Sequence, residues 1–140
     1  MEKQDIMGRW EIVRWVQEYD DGRTTFPMGE ALRGFISYDQ MHVTVMIERG
    51  NRTPFTQGQW NSDDSEKAAA YNEFMAYSGE YEVQGSEVTH VVKNSLFPAW
   101  EGGTQKRRAT LEGQQLTLSG RIEEGTPQAR TVKLVWHRVS

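Results

Sequence analysis

Short stretches in which apolar and polar residues alternate recur along the chain, and turn-forming dipeptides separate them. The alternation has a period of two, which is the spacing of side chains on one face of a β-strand. Such stretches, broken by turn signals about every ten residues, are typical of antiparallel meanders in a barrel or a sandwich. The pattern predicts strands at residues 8–19, 34–38, 41–48, 80–84, 87–94, 105–111, 115–121 and 130–139.

One segment, residues 63–77, departs from this alternation and has the residue spacing of a helix. Ser62 is the expected N-cap of this helix, and Gly79 is its expected C-cap. A single helix of this length cannot cover a whole sheet, so we expect it to act as a lid or a plug at one end. Its apolar side chains form one stripe at positions i, i+3 and i+4, which consists of Tyr71, Phe74 and Met75.

Eight or more strands with a single helix leave no elements for parallel crossovers, so the sheet is expected to be antiparallel. We predict an all-β fold, a closed antiparallel up-and-down β-barrel of about eight to ten strands, because closure removes exposed strand edges. The chain of 140 residues has the size of one domain, residues 1–140, and neither a linker nor an internal repeat divides it.

Polar residues that share a strand face with apolar residues are candidates for a site inside such a barrel. In the strand at 87–94, the period of two places His90 and Asn94 on the inner face with Val88 and Val92. An imidazole in a mixed apolar cavity can act as an acid or a base near neutral pH. The alternative is a core histidine that is hydrogen-bonded to a tyrosine or to the backbone.

The strand at 105–111 turns one arginine towards the interior. The phase that buries Ala109 also turns Arg107 inward, whereas a one-residue bulge would place Arg108 there instead. A buried guanidinium needs an anionic partner, which is either a ligand carboxylate or enolate or a protein acid such as Glu48.

Other strands bring further side chains inward. Arg14 shares a face with Trp10 and Ile12, so it either reaches the cavity or lies at a bulge. Tyrosines on the inner face can donate a hydrogen bond to a ligand carbonyl, although tyrosines in cavity walls often serve packing alone.

Composition excludes several kinds of site. The chain has no cysteine and three histidines, which rules out a disulfide scaffold and a cysteine nucleophile, and no metal-ligand motif is present. We therefore expect no metal and no other cofactor.

The net charge of −4 argues against nucleic acid or an anionic membrane as a partner. No secretory signal or membrane-spanning run is evident, so we expect a cytoplasmic protein.

The two ends of the chain carry a pair of motifs. Gly8-Arg9-Trp10 lies on the first strand and Trp136-His137-Arg138 on the last, and together they resemble the calycin signature. An ordered set of further motifs resembles the bacterial and fungal lipocalin-like domain family, namely Asp21-Gly22, Pro27-Met28-Gly29, Gly34-Phe35-Ile36-Ser37-Tyr38, Tyr77-Ser78-Gly79-Glu80-Tyr81, His90 with Ser95 and Pro98, Arg107-Arg108 and Leu134-Val135-Trp136.

This resemblance implies a barrel in which Trp10 closes the floor and Arg138 packs over its indole ring as a cation–π contact. It also implies a ligand cavity. It does not imply one reaction, because many members have no assigned activity, and relatives in natural-product pathways are cofactor-free cyclases, isomerases or dehydratases.

We expect the protein to bind a small, largely apolar molecule that carries a carbonyl or carboxylate group. The alternative is a cofactor-free isomerase, cyclase or dehydratase in which His90 moves a proton and Arg107 or a tyrosine stabilises an oxyanion. A third hypothesis is an interaction module whose barrel is filled by its own side chains. The oligomeric state stays open and includes a homodimer. The predicted ligand-binding residues are Tyr38, Met41, Val43, Tyr77, Tyr81, His90, Val92, Asn94, Arg107 and Trp136.

Overall fold

A computed structural model describes all 140 residues, which form nine strands and two short α-helices. The helices are α1 (Lys3–Ile6) and α2 (Asp64–Asn72), and a 3₁₀ turn spans Pro98–Trp100. No helix in the molecule combines the length and the apolar character needed to cross a membrane. The strands are β1 (Gly8–Tyr19), β2 (Thr24–Thr25), β3 (Leu32–Tyr38), β4 (His42–Arg49), β5 (Phe74–Gln84), β6 (Glu87–Ser95), β7 (Thr104–Glu112), β8 (Gln115–Ile122) and β9 (Arg130–Arg138).

Eight of the strands close into an antiparallel barrel. Their order around the barrel is β1-β3-β4-β5-β6-β7-β8-β9, and β9 pairs with β1 to complete the closure. The two-residue strand β2 is an extra strand that pairs with β1. Each barrel strand thus has a neighbour on both sides, and the two-residue β2 has the one free edge. The predicted fold class, a closed antiparallel barrel with few helices, is confirmed.

Inward-facing side chains from the strands fill most of the barrel. Eighteen buried apolar residues form one cluster. In β4, the inward face consists of Val43, Val45 and Ile47, while His42 and Met46 on the opposite face are exposed. The two faces alternate with the period of two that extended backbone imposes.

The helix is shorter than the sequence pattern predicts. We expected a helix over 63–77, but α2 ends at Asn72 and the chain enters β5 at Phe74. Met75 then lies opposite Ile47 of β4 and is buried. The prediction was wrong in this last part, because pairing with β4 buries the apolar side chains and overrides local helical spacing.

The caps of α2 also differ from the prediction. The N-cap is Asp63 rather than Ser62, since the Asp63 carboxylate accepts a hydrogen bond from the backbone N–H of Glu66. The Ser62 hydroxyl instead donates to the Gly58 carbonyl oxygen. Gly79 is no C-cap, because it lies within β5. No residue of α2 is buried, so the helix does not plug the barrel.

A β-bulge in β1 changes which side chains face the interior. The pairing of β1 with β9 shifts between Ile12 and Arg14, which leaves Val13 as the extra residue, about half exposed. Beyond the bulge the phase reverses, so Arg14 is exposed and Trp15 reaches the interior. Of the two alternatives for Arg14, the structure shows the bulge.

A second bulge interrupts β6. Its pairing with β5 shifts between Asn94 and Val92, so that Lys93 is the extra residue. The opposing residue is Gly79, and a Cβ atom there would collide with the backbone carbonyl oxygen of Val91. Glycine is therefore required for the two strands to approach this closely.

The floor of the barrel is closed by an arginine–tryptophan stack. The guanidinium of Arg138 lies 4.2 Å from the centre of the buried Trp10 ring. Its two terminal nitrogens donate to the carbonyl oxygens of Met7 at 2.7 Å and Asp5 at 2.6 Å. The Trp10 indole N–H donates to the carbonyl oxygen of Ile6 at 2.9 Å. These bonds tie the N-terminal segment across the joint between first and last strands.

Candidate functional site

A small cavity lies inside the barrel, beyond the floor. Its volume is about 60 Å³, and ten of the twelve side chains that line it are hydrophobic. Trp15 of β1 and Leu134 of β9 form adjacent parts of its wall. The remaining two lining residues are His90 and Arg107. The cavity thus has the apolar wall and the few polar groups that are typical of ligand sites.

His90 is held between two tyrosine hydroxyl groups. Its Nε2 lies 2.7 Å from the Tyr38 hydroxyl oxygen, and its Nδ1 lies 2.6 Å from the Tyr77 hydroxyl oxygen. The three residues come from β6, β3 and β5, and His90 is 1% exposed. Burial, reinforced by the nearby Arg107 guanidinium, lowers the pKa of His90 to about 3. The imidazole is therefore neutral at physiological pH. Burial also raises the pKa of both tyrosines.

Arg107 is the cationic group at the cavity. Its guanidinium donates to the Lys106 carbonyl oxygen at 2.9 Å and to the Gln105 side-chain oxygen at 2.8 Å. No carboxylate lies within ion-pair distance of it. Glu48, the protein acid that we considered as its partner, instead pairs with Arg52 at 3.2 Å. The charge of Arg107 thus has no anionic partner in the protein.

An aromatic cap, which we define as Tyr71, Phe97 and Trp100, covers the cavity at the connection between β6 and β7. Trp100 lines the cavity and packs edge-on against Phe97 at 4.9 Å and Tyr77 at 5.8 Å between ring centres. Phe97 in turn packs edge-on against Tyr71 at 5.4 Å. The cap is built from a loop and a helix, which hold it less rigidly than strand pairing would.

Two indole N–H groups on cavity-lining residues have no hydrogen-bond partner. They belong to Trp15 and Trp136, and both nitrogens are buried. An unpaired buried donor costs about 1–3 kcal/mol and is uncommon in native proteins. Together with the Arg107 guanidinium, these indoles give the site an excess of donors. Such a site can hold a molecule whose polar end carries hydrogen-bond acceptors.

Several residues that the sequence assigned to a ligand site lie together in the structure. Arg107 rather than Arg108 reaches the cavity, since Arg108 is exposed on β7. Tyr38 does not line the cavity, but its hydroxyl group is hydrogen-bonded to His90, which does. Four of the predicted residues line the cavity itself, namely Tyr77, His90, Arg107 and Trp136.

Other predicted residues are buried but lie outside the cavity wall. Val43 and Val92 pack in the barrel core. The hydroxyl of Tyr81 donates to the Asp39 carbonyl oxygen at 2.6 Å. This bond holds Tyr81 at the turn between β3 and β4, and the ring packs against Tyr38 at 4.7 Å between ring centres.

The placement of two predicted residues is corrected. Met41 is 56% exposed, because it lies in the turn before β4, where the Asp39 carboxylate accepts its backbone N–H. Asn94 is exposed because the bulge at Lys93 reverses the phase of β6. It borders an open groove of about 410 Å³ on the outside of the barrel. The two histidines outside the predicted site, His42 and His137, are exposed.

Eight of the twelve lining residues are outside the predicted set, namely Trp15, Ile36, Val45, Met75, Trp100, Leu118, Val132 and Leu134. Trp15 was missed because the bulge at Val13 is invisible in the alternation. The sequence carries no signal for this bulge, and only the observed pairing places Trp15 directly opposite the buried Leu134. Met75 was missed because it was assigned to the helix.

The fold and the cavity define a class, the closed up-and-down β-barrel with an interior site. Comparison with known proteins identifies the family within that class. The model of the lipocalin-like domain family matches residues 7–139, and the chain belongs to that family.

A curated relative is the 4'-hydroxy-3'-methoxypropiophenone carrier protein ppsC of Aspergillus oryzae. It is 35% identical over 77 residues, which cover 48% of this chain and 69% of the relative. A crystal structure of an uncharacterized protein from Bacteroides eggerthii covers 95% of this chain and 98% of its own, with a TM-score of 0.48 and 13% identity. That structural similarity is too low to bear on function.

Proposed function

We propose that this protein binds a small, largely apolar molecule inside its barrel and holds the polar end of that molecule through a carbonyl or carboxylate oxygen. The observation that carries the proposal is the Arg107 guanidinium, which faces an otherwise apolar cavity without a protein carboxylate as partner. A ligand oxygen at that position gains a charge-assisted hydrogen bond. The fungal relative is named as the carrier of an aryl ketone, which supports the same interpretation.

The cavity has to enlarge to hold such a molecule. Ligand pockets usually measure about 300–1,000 Å³, whereas a cavity of about 60 Å³ has room for about two water molecules at about 30 Å³ each. The aromatic cap is the part of the wall that can yield without breaking strand pairing. We therefore propose that Trp100 swings outward when the ligand binds.

The geometry of His90 favours binding over acid–base catalysis by this residue. Both ring nitrogens are engaged by tyrosine hydroxyls, and a pKa of about 3 makes the imidazole a weak base at neutral pH. General acid–base catalysis is most effective when the pKa lies near the working pH. The remaining hollow in turn favours binding over an interaction module with a filled barrel.

Calorimetric titration with two probes tests the proposal. The probes are 4'-hydroxy-3'-methoxypropiophenone and 4-hydroxy-3-methoxybenzoate, which differ in their polar end. Arg107→Gln should weaken binding of the benzoate by about 10- to 100-fold, because a hydrogen bond to a charged group contributes about 1.5–3 kcal/mol. The matched control is Arg108→Gln on the exposed face of the same strand, which should bind as the wild type does. Equal affinities in both variants, or no binding of either probe, would contradict the proposal.

Tryptophan fluorescence tests the movement of the cap. Binding should change the emission of the wild type and of Trp60→Phe, because Trp60 is 85% exposed and makes no ring contact with the cap. Trp15 and Trp136 also line the cavity and respond to a ligand, so Trp100→Phe should lose only the part of the change that comes from the cap. A full response in Trp100→Phe would show that the cap does not report on the ligand.

A further inference from the structure

The Tyr38–His90–Tyr77 chain of hydrogen bonds has a direction. A neutral imidazole carries one N–H, so one ring nitrogen donates and the other accepts. Both nitrogens of His90 lie within hydrogen-bond distance of a tyrosine oxygen. One tyrosine must therefore donate its proton to the ring, while the other accepts from the ring and has its own O–H to place elsewhere.

The surroundings of the two hydroxyl groups decide which tyrosine donates to the His90 ring and which accepts from it. The oxygen of Tyr38 has the His90 ring as its single hydrogen-bond partner, and Tyr38 is 2% exposed and does not line the cavity. If Tyr38 accepted from the ring, its own proton would be left unpaired in the core, which costs free energy. Tyr77 does line the cavity, so its proton can reach a ligand there.

We infer that Tyr38 holds His90 as the Nδ1–H tautomer, and that this directs the Tyr77 hydroxyl proton into the cavity as a specificity-determining donor to a ligand oxygen. Tyr38 is thus a positioning residue that acts through His90. Tyr77 discriminates in favour of ligands with an acceptor at that point. The second half of this inference rests on the proposed function, whereas the tautomer does not.

The tautomer is measured on the wild-type protein without any ligand. Long-range ¹H–¹⁵N correlation spectra distinguish a protonated ring nitrogen from a bare one, and the spectrum of His90→Gln identifies the signals of His90. We expect Nδ1 to be protonated and Nε2 to be bare, which is the reverse of the form that free histidine favours. A protonated Nε2 would overturn the inference, whatever the protein binds.

The donor role of Tyr77 is measured by ligand discrimination. The probes are 4'-hydroxy-3'-methoxypropiophenone and 2-methoxy-4-propylphenol, which lacks the ketone oxygen. Because Arg107 also binds the ligand oxygen in the proposed function, we expect the wild type to prefer the ketone, and Tyr77→Phe and Tyr38→Phe each to reduce that preference by about fivefold. The matched control is Tyr81→Phe, since Tyr81 is also buried but donates to a backbone oxygen; it should keep the preference.

The outcomes separate the two proposals. If the wild type binds the ketone and Tyr77→Phe keeps the preference, the donor role of Tyr77 is wrong while the proposed function stands. If neither probe binds but Nδ1 is protonated, the ligand class is wrong while the tautomer stands. Loss of the preference in Tyr77→Phe but not in Tyr38→Phe would overturn the positioning role of Tyr38.

Discussion

Replacing Arg138 with methionine should lower the free energy of unfolding by about 2–4 kcal/mol. The guanidinium donates to two backbone carbonyl oxygens of the N-terminal segment and stacks over Trp10. Hydrogen bonds to a charged group contribute about 1.5–3 kcal/mol each, and a cation–π contact at an exposed site adds about 0.5–1 kcal/mol. Arg138 is only partly buried, so water replaces part of these contacts in the variant. The expected loss of about 2–4 kcal/mol is therefore smaller than the sum of the separate contributions.

The measurement is urea unfolding followed by circular dichroism, with the slope against urea checked for constancy between variants. The matched control is Arg9→Met. Arg9 stacks over Phe35 at 3.9 Å, but its guanidinium makes no hydrogen bond to the backbone, so this variant should lose at most about 1 kcal/mol. Arg138→Lys should lose an intermediate amount of unfolding free energy, because lysine keeps the charge but lacks the two guanidinium nitrogens that donate to the backbone together.

An equal loss in Arg138→Met and Arg9→Met would refute the reasoning. It would mean that stacking alone accounts for the effect and that the bonds to the N-terminal segment contribute nothing to closure of the barrel. The comparison therefore isolates the hydrogen bonds from the stack.

Two further predictions concern buried features of the fold. Because the pKa of His90 is about 3 in the folded protein and near 6.5 in the unfolded chain, the unfolded chain binds the extra proton between these values. Stability should thus fall as the pH is lowered from about 6.5 towards 3, by up to about 1.4 kcal/mol per pH unit. Urea unfolding at several pH values between about 7 and 4.5 gives the change of the unfolding free energy with pH. This change should be smaller in His90→Gln than in the wild type and the same as the wild type in His137→Gln. An equal change in the wild type and both variants would contradict the prediction. Gly79→Ala should cost about 2–3 kcal/mol, because the added Cβ forces the backbone apart at the bulge. Gly120→Ala, where the Cβ meets only ordinary contacts, should cost less than about 1 kcal/mol, and a similar cost at both sites would show that the close approach is not the cause.

Alternation along single strands was sufficient to predict the fold class and a part of the cavity wall. His90 and Arg107 were placed inward from the period of two, and the structure puts both at the cavity. This succeeds because side-chain direction within a strand is a local property of extended backbone.

The errors share one physical cause, which is pairing between strands that are distant in sequence. The bulges at Val13 and Lys93 reverse the phase of β1 and β6, and neither is encoded in the local alternation. The start of β5 at Phe74 likewise depends on its partner β4. A local pattern does not report on a partner strand, so Asn94 was assigned to the wrong face.

The hydrophobic pattern determines that this chain forms an antiparallel barrel with His90 turned inward, because side-chain direction follows from backbone periodicity. Tertiary contacts decide the chemistry of that histidine. Two tyrosines from β3 and β5 meet its ring, burial removes its charge, and Arg107 is left without a carboxylate. Those properties arise from packing across several strands, and no single strand contains them.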